Sequence, residues 1–409
     1  MKSSDSPAAM SRQDARCAPD PSLTADDILK AAEELVPLLR ERAGAADRDR
    51  RIEPDTYRRL EDAGFFHILK PKKYGGLELS EHEHAKVAMT LARGCASTAW
   101  VFSILSSDNM AILAYPEEVQ EEIWGPNPYA TLAGNTNLNP KAKAERVPGG
   151  YRLTGRWGFC SGSDFSEWLI FNAPAGENGE GHMFLVPNKE ATTIDDWFPT
   201  GMRGTGSRTM AVDDVFVPDR RVQATKDTVQ KLTERRALHP TFATMWAHWP
   251  SHGRFPFAST AVGAAWGAAE HFAATAASGT RVANALGGTV RLADQDYVAT
   301  EFAEAAGEIQ MAMLLIERRS FDASERARER RVPSEAELVL EARDNALVTR
   351  VALRSVQRIF SLVGSKAGNP AHPVSLAKRD VEMVSHHVTL NWRQSAVRYL
   401  AAATQGGVS

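Results

Sequence analysis

The stretch Gly201-Met202-Arg203-Gly204-Thr205-Gly206-Ser207-Arg208-Thr209, followed after Met210-Ala211-Val212-Asp213 by Asp214-Val215-Phe216-Val217-Pro218, decides how the chain divides. Its glycines do not make GxGxxG, and they lead into a strand with Val215 and Val217 alternating, not into a helix. A Rossmann-type dinucleotide site is therefore not supported, and a glycine-rich turn between two strands is the plain reading. Working outward, residues 151–153, 167–171, 182–186 and 210–217 are short runs rich in β-branched and aromatic residues. Pro148-Gly149-Gly150 and Asn178-Gly179 punctuate them as turns, so residues 129–232 read as a central β domain, a small barrel or sandwich.

The flanks read as helix. Residues 23–128 form an N-terminal α-helical domain. Thr24 is placed to cap a stripe of Ile28, Ala31, Leu35, Leu38 and Leu39, and a second helix runs from Pro54 to Gly64. Ser80-Glu81-His82-Glu83 is a capping box ahead of Val87, Leu91 and Ala92, and Pro116 opens a short helix that stops at Gly125-Pro126. Residues 233–409 form a C-terminal domain. In it Val298, Phe302, Ala305, Ile309, Met313 and Ile316 repeat at helical spacing, Pro333-Ser334-Glu335-Ala336-Glu337 starts another helix, and one long segment from Ser375 through Leu400 completes a four-helix bundle. Residues 1–22 read as a flexible tail. The expected fold is a multi-domain α+β protein in the order α domain, β domain, α bundle.

Composition narrows the function. The 409 residues carry 48 Lys plus Arg against 51 Asp plus Glu, a formal net charge of −3, so neither nucleic acid nor an anionic membrane surface is the expected partner. Cys17, Cys95 and Cys160 form no CxxC pair, which argues against a disulfide framework or a structural zinc site and fits a reducing, cytoplasmic setting. Apolar runs such as residues 311–316 fall far short of the ~20 residues that cross a bilayer. His82 and His84, two apart, do not share a helical face and are expected at the surface. His248 and His252 have zinc-ligand spacing but are interrupted by Pro250, so no metal is expected. GxSxG and GxxxxGK[ST] are both absent.

Two clusters carry chemistry. Trp157-Gly158-Phe159-Cys160-Ser161-Gly162-Ser163 sets aromatics and a hydroxyl at a strand end, suited to lining a flat ring or, equally, to a core tryptophan followed by a Ser-Gly turn. Arg379-Asp380, His386-His387 and Trp392 are expected on the last long helix, either as a functional face or as ordinary solvated and packed positions.

Taken in order, Ala96-Ser97-Thr98-Ala99-Trp100, the 157–162 strand end and the 201–218 turn and strand resemble the acyl-CoA dehydrogenase superfamily from about Leu23 to the end. That resemblance implies the same order of domains, a homotetramer, and a flavin between the β domain and the bundle. Many dehydrogenases of the family carry a catalytic glutamate in an aromatic-Glu-Gly setting. Here Ser385-His386-His387-Val388-Thr389-Leu390-Asn391-Trp392 has no acid and is instead similar to the flavin-dependent monooxygenases of this fold, the oxygenase components of two-component hydroxylases.

This likeness implies that a separate NAD(P)H-dependent reductase delivers reduced flavin (FMNH2 or FADH2), and that O2 converts it to a C4a-hydroperoxide. Oxygen transfer to an aromatic or polycyclic small molecule follows. Ser161 is implied to hydrogen-bond flavin N5, His387 to lie near the peroxide and substrate beside Trp100, and Trp157 and Phe159 to pack on the ring. Arg281 and Arg379 are implied to make phosphate or intersubunit contacts. Phenol-hydroxylating relatives often carry histidine eight residues after the helix tryptophan; this chain has Asp108. An aspartate there accepts from a phenol or pairs with an amine, which keeps N-oxygenation of an amine or amino sugar as an alternative, with acyl-CoA dehydrogenation behind it. An N-cap or a solvated residue is the ordinary reading of Asp108.

Overall fold

The computed structural model describes residues 20–176, 178–248, 254–282 and 288–406; the side chains of residues 281 and 282 lie outside the described set. Most of the expected tail and His252 fall outside it as well.

The N-terminal helices are α1 (Ala25–Asp49), α2 (Pro54–Asp62), α3 (Glu81–Ala92), α4 (Ala96–Ser107), α5 (Asn109–Ile112) and α6 (Glu117–Trp124). Both expected caps form: Thr24 with Asp27, and Ser80 with Glu83, satisfy backbone N–H groups that a helix start leaves unpaired. His84, expected at the surface, is fully buried with its ring edge-on to Phe102 at 4.9 Å. His82 is half-buried, its ring edge-on to Phe321 at 5.7 Å and its Nδ1 3.0 Å from the buried Ser320 Oγ.

The central part holds β1 (Leu132–Leu138), β2 (Lys143–Val147), β3 (Gly150–Trp157), β4 (Trp168–Ala175), β5 (Glu180–Pro187), β6 (Thr192–Ile194), β7 (Thr209–Pro218) and β8 (Val222–Ala224). They make two four-stranded sheets, β1-β4-β5-β8 and β2-β3-β7-β6. The sheets meet where Trp157 of β3 stacks on Phe171 of β4, ring centroids 4.3 Å apart. Strands β1, β2, β6 and β8 were not expected from the sequence. They are polar or only three residues long, and all lie at sheet edges, where short, polar strands blunt edge-to-edge pairing.

After α7 (Thr228–Arg235) come α8 (Arg254–Ala276), a small antiparallel ribbon of β9 (Thr280–Val282) and β10 (Thr289–Arg291), and then α9 (Asp296–Arg328) and α10 (Glu335–Val363). In α9, Val298, Ala305, Ile309 and Ile316 of the expected seam are buried. The final segment is not one helix. It splits into α11 (Pro373–Ser385) and α12 (Trp392–Thr404). His387 between them is extended (φ −64°, ψ 137°), the β-branched Val388 and Thr389 sit in a single 3-10 turn, and Asn391 caps α12. One buried core spans the N-terminal helices and the sheets; a second joins α3 and α4 to α8, α9, α10 and α11.

Candidate active site

The join between these two cores brings together side chains distant in sequence. From α4, the Trp100 indole stacks on Phe257 of α8 with centroids 4.3 Å apart and planes 20° from parallel. The His387 ring approaches both edge-on, at 5.2 Å from Trp100 and 4.9 Å from Phe257. The helix break delivers this histidine, because its extended backbone turns the ring back toward α8 and leaves His386 exposed.

The fourth contribution comes from the loop after β3. Cys160 N–H donates to Arg208 O and Gly162 N–H to Thr205 O, both at 3.2 Å, so residues 160–162 lie along the glycine-rich turn. Ser161 Oγ accepts from Trp100 Nε1 at 3.2 Å and lies 2.6 Å from Ser207 Oγ. Ser207 in turn lies 2.7 Å from Thr205 Oγ1, which donates to Met202 O at 2.8 Å.

The turn itself is anchored from α11, where Asp380 Oδ1 accepts the Met202 N–H at 2.5 Å. Gly201 is required by this docking, because a Cβ there would lie 2.1 Å from Arg379 O. Gly206 is required by its backbone, at φ +57° with a Cβ position 2.6 Å from Asp164 Oδ2. The glycines therefore serve close packing and a left-handed turn between β6 and β7.

Charge is kept out of the site. Burial pushes the His387 imidazole down to about 4, so it is neutral at pH 7. Its Nδ1 meets Thr389 Oγ1 at 2.9 Å and accepts from the Thr389 N–H at 3.4 Å, which leaves the ring proton on Nε2. Asp108, just past the end of α4, is pushed up to about 8 by burial alone and is protonated at neutral pH. Its carboxyl makes no capping bond to α5, so the N-cap reading does not hold. Its charge would raise the thiol of Cys160, placing Asp108 within electrostatic reach of the Ser161 loop.

Two of the expected site residues are engaged within the fold, and a third is not described. Trp157 is only 2% exposed, stacks on Phe171 and donates from Nε1 to Asn172 O at 2.9 Å; it is a core residue with no face turned to a ligand. Arg379 makes a bidentate pair with Asp47 at 3.2 Å and also donates to Thr200 O and to Pro370 O, so it straps α1 and the 200-loop to α11. Arg281 lies on β9, and its side chain is outside the described residues. Phe159 is 67% exposed, with φ +59° and its ring edge-on to Trp197 at 5.7 Å.

Phe257, Ser207 and Thr205 were not singled out from the sequence as site residues. Thr205 lies between Gly204 and Gly206, and Ser207 follows directly. Phe257 carried no local signal, since only the packing of α8 on α4 gives it a role. Among the described residues no group of three or more His, Cys, Asp or Glu could hold a metal, and no helix is long and apolar enough to cross a membrane.

An α-helical domain, paired sheets and a helical bundle meeting at such a site define an acyl-CoA dehydrogenase-like protein. The models for the acyl-CoA dehydrogenase N-terminal and C-terminal domains match residues 27–129 and 256–392. The FADH(2)-dependent resorcinol hydroxylase, oxygenase component, of Rhizobium sp. is 30% identical over 87% of this chain and 88% of its own length. The oxygenase subunit HsaA of a flavin-dependent monooxygenase from Mycobacterium tuberculosis is 31% identical over 87% of this chain and 90% of its own. The crystal structure of the HsaA monooxygenase from M. tuberculosis superposes with a TM-score of 0.85 at 27% identity, covering 94% of this chain and 98% of that one. The chain belongs to the oxygenase components of the flavin-dependent monooxygenases, within the acyl-CoA dehydrogenase superfamily.

Proposed function

We propose that the protein takes FMNH2 or FADH2 from a separate NAD(P)H-dependent reductase and uses O2 to hydroxylate an aromatic or polycyclic small molecule. The observation that carries this reading is the convergence of Trp100, Ser161, Phe257 and His387, from four separate segments, on one uncharged site. The donor set fits a flavin: hydroxyls offer single hydrogen bonds to a nitrogen-bearing ring edge, and exposed Phe159 offers a flat apolar face. When bound, reduced flavin supplies the electrons that activate O2.

The chain supplies the rest. Ser161 Oγ holds the ring edge at N5, and Trp100 and Phe257 wall off water, which would divert reducing equivalents to H2O2. Neutral His387 presents its Nε2 proton to the oxygen acceptor side. Protonated Asp108 presents an O–H to the substrate, which suits a phenolic hydroxyl; the resorcinol in the Rhizobium relative's name supports such a ring. N-oxygenation takes second place, because an ammonium beside this buried carboxyl would have to ionise it first.

Assembly as a homotetramer is part of the same reading. Met311, Leu314 and Phe321 on α9, and Val397 and Leu400 on α12, leave apolar surface exposed that a second copy would cover. A cytoplasmic location, without nucleic-acid or membrane partners, is supported by the net charge and by the free thiols of Cys95 and Cys160.

The test mixes the protein and anaerobically reduced FAD or FMN with ¹⁸O2 and a panel of phenols and indoles. One ¹⁸O atom in a hydroxylated product is the expected result. No label in any product with either flavin, while H2O2 accumulates, rejects the proposal.

A further inference from the structure

We infer that the buried hydroxyl chain behind Ser161 makes the site selective for reduced over oxidised flavin, with Ser207 and Thr205 as the positioning residues that set this selectivity. The inference rests on the reading above that Ser161 faces flavin N5.

The direction of the chain follows from which atoms carry protons. Met202 O can only accept, so the Thr205 hydroxyl spends its one proton on it, 2.8 Å away. Thr205 Oγ1 must then accept across the 2.7 Å contact, so Ser207 donates to it. With its proton spent, Ser207 accepts across 2.6 Å, and the donor is Ser161. At the other end the Trp100 Nε1–H can only donate, and it gives its proton to Ser161 Oγ at 3.2 Å. Ser161, Ser207 and Thr205 are all buried, so bulk water does not readily reset the order.

Ser161 therefore meets a ligand with one lone pair and no free proton. N5 of a reduced flavin carries a hydrogen and donates to that lone pair. N5 of an oxidised flavin carries only a lone pair, so two acceptors face each other and the remaining lone pair of Ser161 meets no donor. Removing the hydroxyl of Ser207 releases the Ser161 proton to turn toward N5, which favours the oxidised ring.

The experiment measures dissociation constants of FMN and FAD, oxidised in air and dithionite-reduced under argon, by quenching of protein fluorescence. It compares wild type, Ser207→Ala and Thr205→Val. Wild type should bind the reduced forms more tightly, and the ratio of oxidised to reduced dissociation constants should fall about tenfold in Ser207→Ala, the worth of one such hydrogen bond. Thr205→Val, which keeps side-chain volume but removes the proton sink, should lower the ratio in the same direction and decides the matter if Ser207→Ala does not fold. Ser207→Thr should restore the wild-type ratio. Equal weakening of both redox states, with the ratio unchanged in the variants, overturns the inference while leaving the functional reading intact. Wild-type protein that binds neither redox state of either flavin overturns that reading, and this inference with it.

Discussion

The Trp100 indole N–H reaches across from α4 to the Ser161 hydroxyl, 3.2 Å away and 61 residues later in the chain. One bond thus ties the helix that walls the site to the loop that edges it. A Trp100→Phe replacement keeps the stack on Phe257 but leaves Ser161 without its donor. It should raise H2O2 released per NAD(P)H consumed in the reconstituted two-component system, and Ser161→Ala should raise it further. A hydrogen bond of this kind is worth ~1–3 kcal/mol when its loss strands a buried partner, so roughly five- to a hundredfold in the competing rates is expected. Unchanged coupling in both variants would leave the bond a purely structural role.

Neighbouring histidines are predicted to behave differently. His387 packs against Trp100 and Phe257, whereas His386 is exposed at the end of α11. A positioned imidazole contributes typically 10²–10⁴-fold, so His387→Ala should cut product formation by at least the lower figure, and His386→Ala should stay within about twofold of wild type. Melting temperatures measured alongside separate lost chemistry from lost fold. The reverse order of effects would place the chemistry on the other ring.

Much of this was legible in the sequence, and the failures have physical causes. Capping boxes, the α9 seam and the glycine-rich turn announce themselves through local rules, and each formed where expected. The break between α11 and α12 was missed because the helical period runs on past it, while β-branched Val388 and Thr389 and the capping Asn391 stop the helix locally. That miss mattered, since the break is what turns His387 inward. Trp157 was misplaced for a different reason: strand-end composition does not say which sheet face a residue takes, and Phe171 of the opposite sheet claims its ring. Phe257 illustrates the limit, because its partners are contributed by α4 and by the α11–α12 connection.

The pH profile of hydroxylation should be set by Asp108, not by His387. With His387 held down to about 4, its neutral form persists through pH 6 to 8 and contributes no limb near the ordinary histidine value. Asp108, pushed up to about 8 by burial, loses its proton above that pH, and the site then gains a negative charge beside the substrate. Turnover at saturating reduced flavin should fall above about pH 8 in wild type, and Asp108→Asn should flatten that limb while retaining a hydrogen-bond donor. An alkaline limb that survives in Asp108→Asn belongs to another group.

Asp380 connects stability to the same site, because it grips the Met202 N–H on the turn that carries Thr205 and Ser207. Burial raises its carboxyl to about 7, above the 3.8 of an exposed aspartate, with the Met202 hydrogen bond and the Arg379 charge only partly opposing this. The folded state therefore holds a proton that the unfolded state has already released. This contribution to stability is fully present below about pH 4 and is lost as pH rises through about 7. Asp380→Asn keeps an acceptor for the Met202 N–H but cannot ionise, so its urea midpoints should lack this component of the decline between pH 4 and 7. Asp380→Ala strands the Met202 N–H and should cost ~1–3 kcal/mol at any pH in that window. Urea titrations of the three proteins at pH 5 and pH 7.5 give the comparison. If wild type and Asp380→Asn lose stability in parallel between those pH values, the buried carboxyl is not the titrating group and the turn is held by other contacts.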